Sequence, residues 1–453
     1  MSWVREVATS TETLFLKSDF MVAAVVFLIA AAMSLFLASH IPEVLSSRTN
    51  FDVWFGADVP RVFGNMHTVY HLRDLLVHPL FPLFTRPLAT GLTSIGLTPN
   101  DASTFVVAVS AGVMTALLFL IARGLRLTVM SSGLTCVVFL VSGAFSFWWS
   151  VIETFPIGGA TIAFLSLVFV KGVRARGIWV MASVLTFSMT ITNGFVSVIG
   201  AYLKFGIWKA QKIILASLLL LILLLVVQQT QYPVSLERTV AASVQDETLD
   251  KPSTFFSSVL GRFRQYGDIA VGTYLKEMRF VYSPHVTEEG MWESTRVVFT
   301  WYTERAMSFL VYPGVVPRPV LITEDRSPVP LILADDWAYG PSGILAVGCW
   351  IVLLVGGLHE AMSRATRCLF STFLLYSLVF QFTLHLLYGD TPFLYSAHFM
   401  LPLVLLAACG FRGDNRVVLQ IVGIVFCVSA AINNLHNFFI ASTYLSQCVS
   451  CGG

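Results

Sequence analysis

Apolar runs near or above spanning length recur along this chain at 20–38, 102–122, 128–148, 155–170, 213–229, 342–358, 369–387, 394–411 and 417–440, mostly separated by short polar connections. A further hydrophobic stretch, Ile178 to Leu203, joins two basic connections, so a single crossing would leave one of them on the wrong side of a membrane. Its middle, Thr186 to Asn193 followed by Gly194, is rich in Thr, Ser, Asn and Gly. This predicts two short half-helices turning inside the membrane, with Thr190, Thr192 and Asn193 deep in the core. The alternative is one tilted span whose Thr and Asn side chains bond to neighbouring helices. The pattern as a whole predicts an all-α polytopic membrane protein of about 10–11 transmembrane helices, the broken hairpin included.

The same pattern divides the chain. Residues 1–38 hold the N-terminus and a first span, read as retained and not as a removed signal. Residues 39–101 form an external loop with juxtamembrane helices, 102–228 a block of spans, 229–340 an external segment, 341–440 the C-terminal spans and 441–453 a tail. Between His78 and Gly96, Pro79, Pro82, Arg86 and Pro87 interrupt an apolar stretch, which predicts short helices along the interface. Upstream, Val53, Phe55, Val59, Val62, Phe63 and Met66 recur at helical spacing, predicting an amphipathic surface helix whose other face carries Asp58 and Arg61.

Composition agrees, with 56% hydrophobic residues, 12% charged and 36 Phe. A net charge of +2, without a long basic patch, excludes a nucleic-acid partner. The basic residues orient the spans. Arg123 and Arg126, Lys171 to Arg176, Lys204 to Lys212, Arg364 and Arg367, and Arg412 and Arg416 all occupy connections, expected to be cytoplasmic. Five cysteines lie in or beside apolar spans and read as packing residues, whereas Cys448 and Cys451 form a lone C-x-x-C without a second pair, to which no function is given.

Ionisable groups crowd one place. From Asn50 to Phe81 the chain carries Asp52, Asp58, Arg61, His67, His71, Arg73, Asp74 and His78, and such a cluster at a membrane surface is costly unless it has a task. Glu153 stands at the outer end of a span beside Trp148 and Trp149, where an ionised carboxylate needs a partner or an altered pKa. His385, Tyr388, Asp390 and His398 bracket another external connection. His67 and His71 lie four apart with Asp74 and His78 beyond, a spacing that leaves a divalent metal open without making a recognised signature; no cofactor is otherwise required. The segment 229–340 mixes aromatic and charged residues, among them Phe280, Tyr282, His285, Trp292, Trp301, Tyr302, Trp337 and Tyr339, which suit sugar faces as well as membrane interfaces.

A single N-terminal span, an external loop with early aspartates, juxtamembrane helices, the HPLF motif at His78 to Phe81 and a bundle of mostly short-looped spans together resemble the C-type glycosyltransferase superfamily (GT-C), especially its bacterial branch using lipid-phosphate sugars. WSVIETF around Glu153, the TITNG turn at Thr190 to Gly194 and HLLYGDTPFLYSAHF from His385 to Phe399 are compatible with it. The resemblance implies a multi-span helical bundle in a bacterial inner membrane. It also implies a polyprenyl-phosphate sugar donor, a glycan, lipid or protein acceptor, and a first-loop carboxylate as general base on the outer face. The first loop lacks the Asp-Glu pair of the protein mannosyltransferase branch, which puts a protein acceptor in doubt.

Such a reaction needs one base for the acceptor hydroxyl and cations for the departing phosphate. Asp58 and Asp52 are the candidate bases. Arg61, Arg73 and His78 are the candidate phosphate ligands, with Arg262 and Arg264 behind them. Glu153, His71, Asn193, His385, Tyr388 and His398 are expected to meet substrate. A cap at the start of a helix is the plainer role for either aspartate. Three other readings remain: a transporter or lipid-linked-sugar flippase, which also uses broken helices, an enzyme like the O-antigen ligases or polymerases, and a noncatalytic membrane scaffold.

Overall fold

The computed structural model describes residues 15–46, 53–67, 77–232, 303–321, 331–334, 338–365, 368–387 and 392–451. Asp52, His71, Arg73, Asp74, Tyr388, Asp390, Arg262, Arg264 and the aromatic residues named above in 229–340, except Tyr339, lie outside them.

Seven described helices are long and apolar enough to cross a membrane, and Val129–Leu140, Thr154–Val170 and Arg176–Met189 are shorter apolar helices. The chain is therefore a multi-pass integral membrane protein. In order, α1 is Lys17–Ala38, α2 Val59–His67, α3 Phe81–Ser94, α4 Pro99–Gly124, α5 Val129–Leu140, α6 Gly143–Trp148 and α7 Thr154–Val170. Then come α8 Arg176–Met189, α9 Ile191–Phe205 and α10 Ile207–Gln231. After a short helix at 303–310, β1 Pro319–Leu321 pairs antiparallel with β2 Leu331–Leu333, a small departure from an all-α chain. The C-terminal part holds α11 Pro341–Ala365, α12 Leu369–Leu387, α13 Ser396–Cys409 and α14 Arg416–Cys451.

Helix α13 is the axis of the bundle, with every residue buried. Small residues let its neighbours close on it. A Cβ at Gly357 would lie 1.9 Å from the Leu406 carbonyl oxygen, and one at Gly159 would lie 2.6 Å from that of Ala397. By contrast, α1 and α10 expose Met21, Leu28, Leu219 and Ile222, an apolar surface suited to lipid tails.

The stretch 178–203 folds back on itself. α8 and α9 meet at the extended Thr190, and at their other ends the rings of Trp179 and Phe205 are 5.3 Å apart. Gly194 is needed at the turn because Phe187 occupies the space a side chain would take.

Four expectations are corrected. The run 128–148 is two helices: Ser142 accepts the Phe145 N–H and starts α6 afresh. The stretch after His78 is a single 14-residue helix containing Pro87, not several short ones. Its first turn is secured by Gln228, which accepts the Leu83 N–H at 3.0 Å and donates to the Pro79 carbonyl at 2.8 Å. The surface helix begins at Val59 and not at Val53, because 53–58 form a turn with Phe55 (φ 51°) and Gly56 (φ 78°) in the left-handed region. Finally, α14 runs to Cys451, so most of the expected tail is helix.

The basic connections share one end of the bundle. Arg123 Nε pairs with Asp19 at 2.7 Å, Lys171 Nζ lies over the Phe15 ring, Lys204 Nζ approaches Gly172, and Gln420 joins Ser131 beyond Arg126. The start of α7, with Glu153, lies at the opposite end.

Candidate functional site

The site is built on a loop that an aromatic side chain fixes. Trp54 is fully buried, stacks on Phe147 at 5.8 Å and donates its indole N–H to the Phe147 carbonyl at 3.0 Å. Leu331 donates its N–H to the Val53 carbonyl at 2.8 Å, tying the loop to β2. Beyond the Phe55–Gly56 turn, Asp58 stands immediately before α2, its carbonyl accepting the N–H groups of Arg61 and Val62. The left-handed Phe55 is a strained conformation held in place by this packing.

The Asp58 carboxylate pairs with the Arg61 guanidinium, their side chains 22% and 13% exposed. Glu153, 2% exposed, lies beneath them. Its Oε2 accepts the Thr154 N–H at 2.5 Å, capping α7, and its Oε1 accepts the Asp58 N–H at 3.3 Å. Burial pushes its carboxyl up to about 7, and the negative charge of Asp58 adds to this, against the Thr154 N–H, the Arg61 charge and the Asp58 N–H. A carboxyl poised near neutrality beside an ion-paired carboxylate is an acid–base arrangement.

His78 is buried next to Thr154. Its Nδ1 lies 2.6 Å from the Met189 carbonyl and 3.3 Å from Thr190 Oγ1, and its Nε2 lies 3.4 Å from Thr154 Oγ1. Leu80 N–H also donates to the Ser188 carbonyl. His78 thus binds the hairpin tip to the first loop, and its nitrogens face protein groups.

A second group lies deeper. A Cβ on Gly158 would meet His398 Nε2 at 2.8 Å and Asn193 Nδ2 at 3.0 Å, so α7 lets these two polar side chains converge. Neither atom of the Asn193 amide, nor His398 Nε2, has a hydrogen-bond partner among the described residues. Phe155 joins the two groups, 6.4 Å from the His78 ring and 5.1 Å from that of His398. His385 stacks on Tyr395 at 4.8 Å, and Tyr395 touches Phe155.

The structure therefore brings together Asp58, Arg61, Glu153 and His78, and beside them Asn193, His398 and His385. Thr154 is a contact the sequence did not single out, and nothing in its context marks it. Ser377 and Gln381 were also missed, although with His385 they recur every fourth residue along α12, a polar stripe legible in the sequence.

Among the described residues, no three His, Cys, Asp or Glu side chains are grouped to hold a metal. His67 instead places Nε2 2.7 Å from Ser103 Oγ, and burial, aided by the charge of Arg86, lowers its pKa. Compared with protein-family models, with curated proteins and with solved structures, the chain matches none.

Proposed function

We propose that the chain is an integral-membrane glycosyltransferase of GT-C type, moving a sugar from a polyprenyl-phosphate donor to a cell-envelope acceptor on the outer face of a bacterial inner membrane. The observation that carries this reading is the meeting of Asp58, Arg61, Glu153 and His78 at the bundle end opposite the basic connections. Basic connections mark the cytoplasmic side, so this end faces outward.

In the reaction, the donor phosphate draws the Arg61 guanidinium from Asp58, since a phosphate oxyanion competes for the same charge-assisted bonds. The released carboxylate takes the proton of the acceptor hydroxyl. The acceptor oxygen forms a bond to the anomeric carbon as the bond from that carbon to the phosphate oxygen breaks. The electron pair leaves on the polyprenyl phosphate, whose charge Arg61 holds, and the configuration inverts. Glu153, hydrogen-bonded to the Asp58 backbone, fixes the base in place.

One observation favours a carrier instead: the α8–α9 hairpin and the buried Asn193 and His398 resemble the broken helices and polar interior of alternating-access proteins. Transfer of radiolabelled sugar from a polyprenyl-phosphate pool to envelope material, by wild type, Asp58→Asn and Asp52→Asn at equal expression, decides. Loss of product by a factor of about 10² or more in Asp58→Asn is expected. Equal product in all three removes the first-loop carboxylates as catalysts and favours the carrier.

A further inference from the structure

Helix α10 gives the depth of the membrane. Its middle exposes Leu215, Leu219, Ile222, Leu223 and Val226, while exposed Trp208 and half-buried Tyr232 stand at its two ends. At 1.5 Å per residue these two positions are about 36 Å apart along the axis. A hydrocarbon core is about 30 Å thick, so each ring lies at a headgroup boundary, where Trp and Tyr collect. Lys204, Lys209 and Lys212 flank the Trp208 end, so Tyr232 marks the opposite, outer boundary.

Arg86 of α3 lies over Tyr232. Its guanidinium carbon is 4.5 Å from the ring centroid, a cation–π contact that sets the charge at the level of lipid phosphates. The two Gln228 bonds hold α3 against α10 here, and Leu83 and Phe84 pack with Leu221 in one apolar cluster. Arg86 is half-buried, yet among the described residues it pairs with no carboxylate. Its charge reaches His67, which is itself a base and is engaged by Ser103. A partly desolvated guanidinium without a counter-charge is costly, so this placement calls for an anion.

The surroundings decide which anion. A guanidinium matches phosphate oxygens with paired, charge-assisted bonds. Beside the Arg86–Tyr232 contact runs the exposed side of α10, whose Leu219, Ile222 and Val226 suit acyl chains descending from that phosphate. A headgroup with its own ammonium would bring a second cation to a place where no described carboxylate pairs with Arg86. A headgroup of net negative charge meets no such conflict. We propose that Arg86, braced by Tyr232, is the phosphate-binding residue of a docking site for one anionic phospholipid at the outer membrane boundary, its acyl chains lying along α10. The site stands apart from the sugar-transfer reading.

The test is native mass spectrometry of the full chain in detergent, titrated with phosphatidylglycerol and phosphatidylcholine of identical acyl chains. Wild type is expected to bind its first phosphatidylglycerol about tenfold more tightly than its first phosphatidylcholine. Arg86→Gln should remove most of this preference, Arg86→Lys should keep part of it, and Lys212→Gln, at the other boundary, should keep all of it. Equal binding of the two lipids by wild type, or a preference surviving in Arg86→Gln, overturns the site. So does a preference lost only in Lys212→Gln, which moves the lipid to the opposite boundary. Should Arg86→Gln not elute as a folded protein, Arg86→Lys decides, and an undiminished preference there overturns the site. Displacement by millimolar glycerol 3-phosphate reassigns the site to a free phosphate, and displacement by equimolar polyprenyl phosphate reassigns it to the donor lipid; either result overturns the phospholipid.

Discussion

Glu153 accepts the backbone N–H of Asp58 across 95 positions of sequence, so the carboxyl that caps one buried helix also holds the residue before another. The candidate base and its support are thus one unit, and the charge state of Glu153 bears on the stability of that unit.

Glu153 ionises near 4.5 in the unfolded chain and at about 7 in the folded one. Between these values the folded state keeps a proton the unfolded state has lost, so stability falls as pH rises from about 4.5 to about 7 and then levels, by roughly 3 kcal/mol in all. Glu153→Gln is expected to flatten this slope. Thermal unfolding in detergent at acidic and mildly alkaline pH reads it directly; an unchanged slope in the variant places the titration elsewhere.

Arg61→Gln should weaken donor use and also cost some stability, since the pair is only 13% and 22% exposed and Asp58 would lose its counter-charge; thermal unfolding separates the two effects. Turnover should fall by about 10² and KM for the donor should rise, with Arg61→Lys recovering part of both. Kinetics with a polyprenyl-phosphate sugar check this. If donor use is unaltered in Arg61→Gln, phosphate is held elsewhere.

Asn434 holds an irregular buried stretch. Its Oδ1 accepts the Val316 N–H at 2.9 Å, and its Nδ2 donates to the carbonyls of Val141 and Gly314, both at 2.8 Å. Asn434→Leu takes away the partner of the Val316 N–H and of the Val141 carbonyl, while the Gly314 carbonyl keeps the Gly143 N–H, and should cost about 2 kcal/mol or more, seen as a lowered unfolding temperature. Asn434→Asp keeps the acceptor but sets a buried carboxylate oxygen against the Val141 and Gly314 carbonyls, and should lose at least as much.

Gly357→Ala should prevent close packing of α11 on α13, because the new methyl would overlap the Leu406 carbonyl oxygen, which cannot rotate away. A loss of about 1–3 kcal/mol or more is expected. The yield of monodisperse protein after extraction measures it, and Gly348→Ala, with open space around it, is the control.

Much of this architecture is legible in the sequence because lipid leaves few options: long apolar runs become helices, and polar Thr190 and Asn193 between basic connections mark a fold-back. Local chemistry hid the rest. Ser142 restarts a helix inside a run that hydropathy reads as continuous, and Pro87 is accommodated within α3. The site was legible as a set of residue types, since Asp58, Arg61 and Glu153 stand out in an apolar chain. Their meeting was not, because nothing local signals a contact between residues so far apart. Buried groups such as Gln381 were missed because attention to charge passes over neutral polar side chains.

The bond from Leu331 N–H to the Val53 carbonyl carries a consequence for biogenesis. The loop that presents Asp58 emerges early in synthesis, yet the strand that pins it is made only after the first six of the long and shorter apolar helices have been produced. Until then the loop lacks its partner, and long-range pairing must wait for chain that has not yet been translated. Ribosome-bound or truncated chains ending before residue 331 would therefore insert their helices without a competent site.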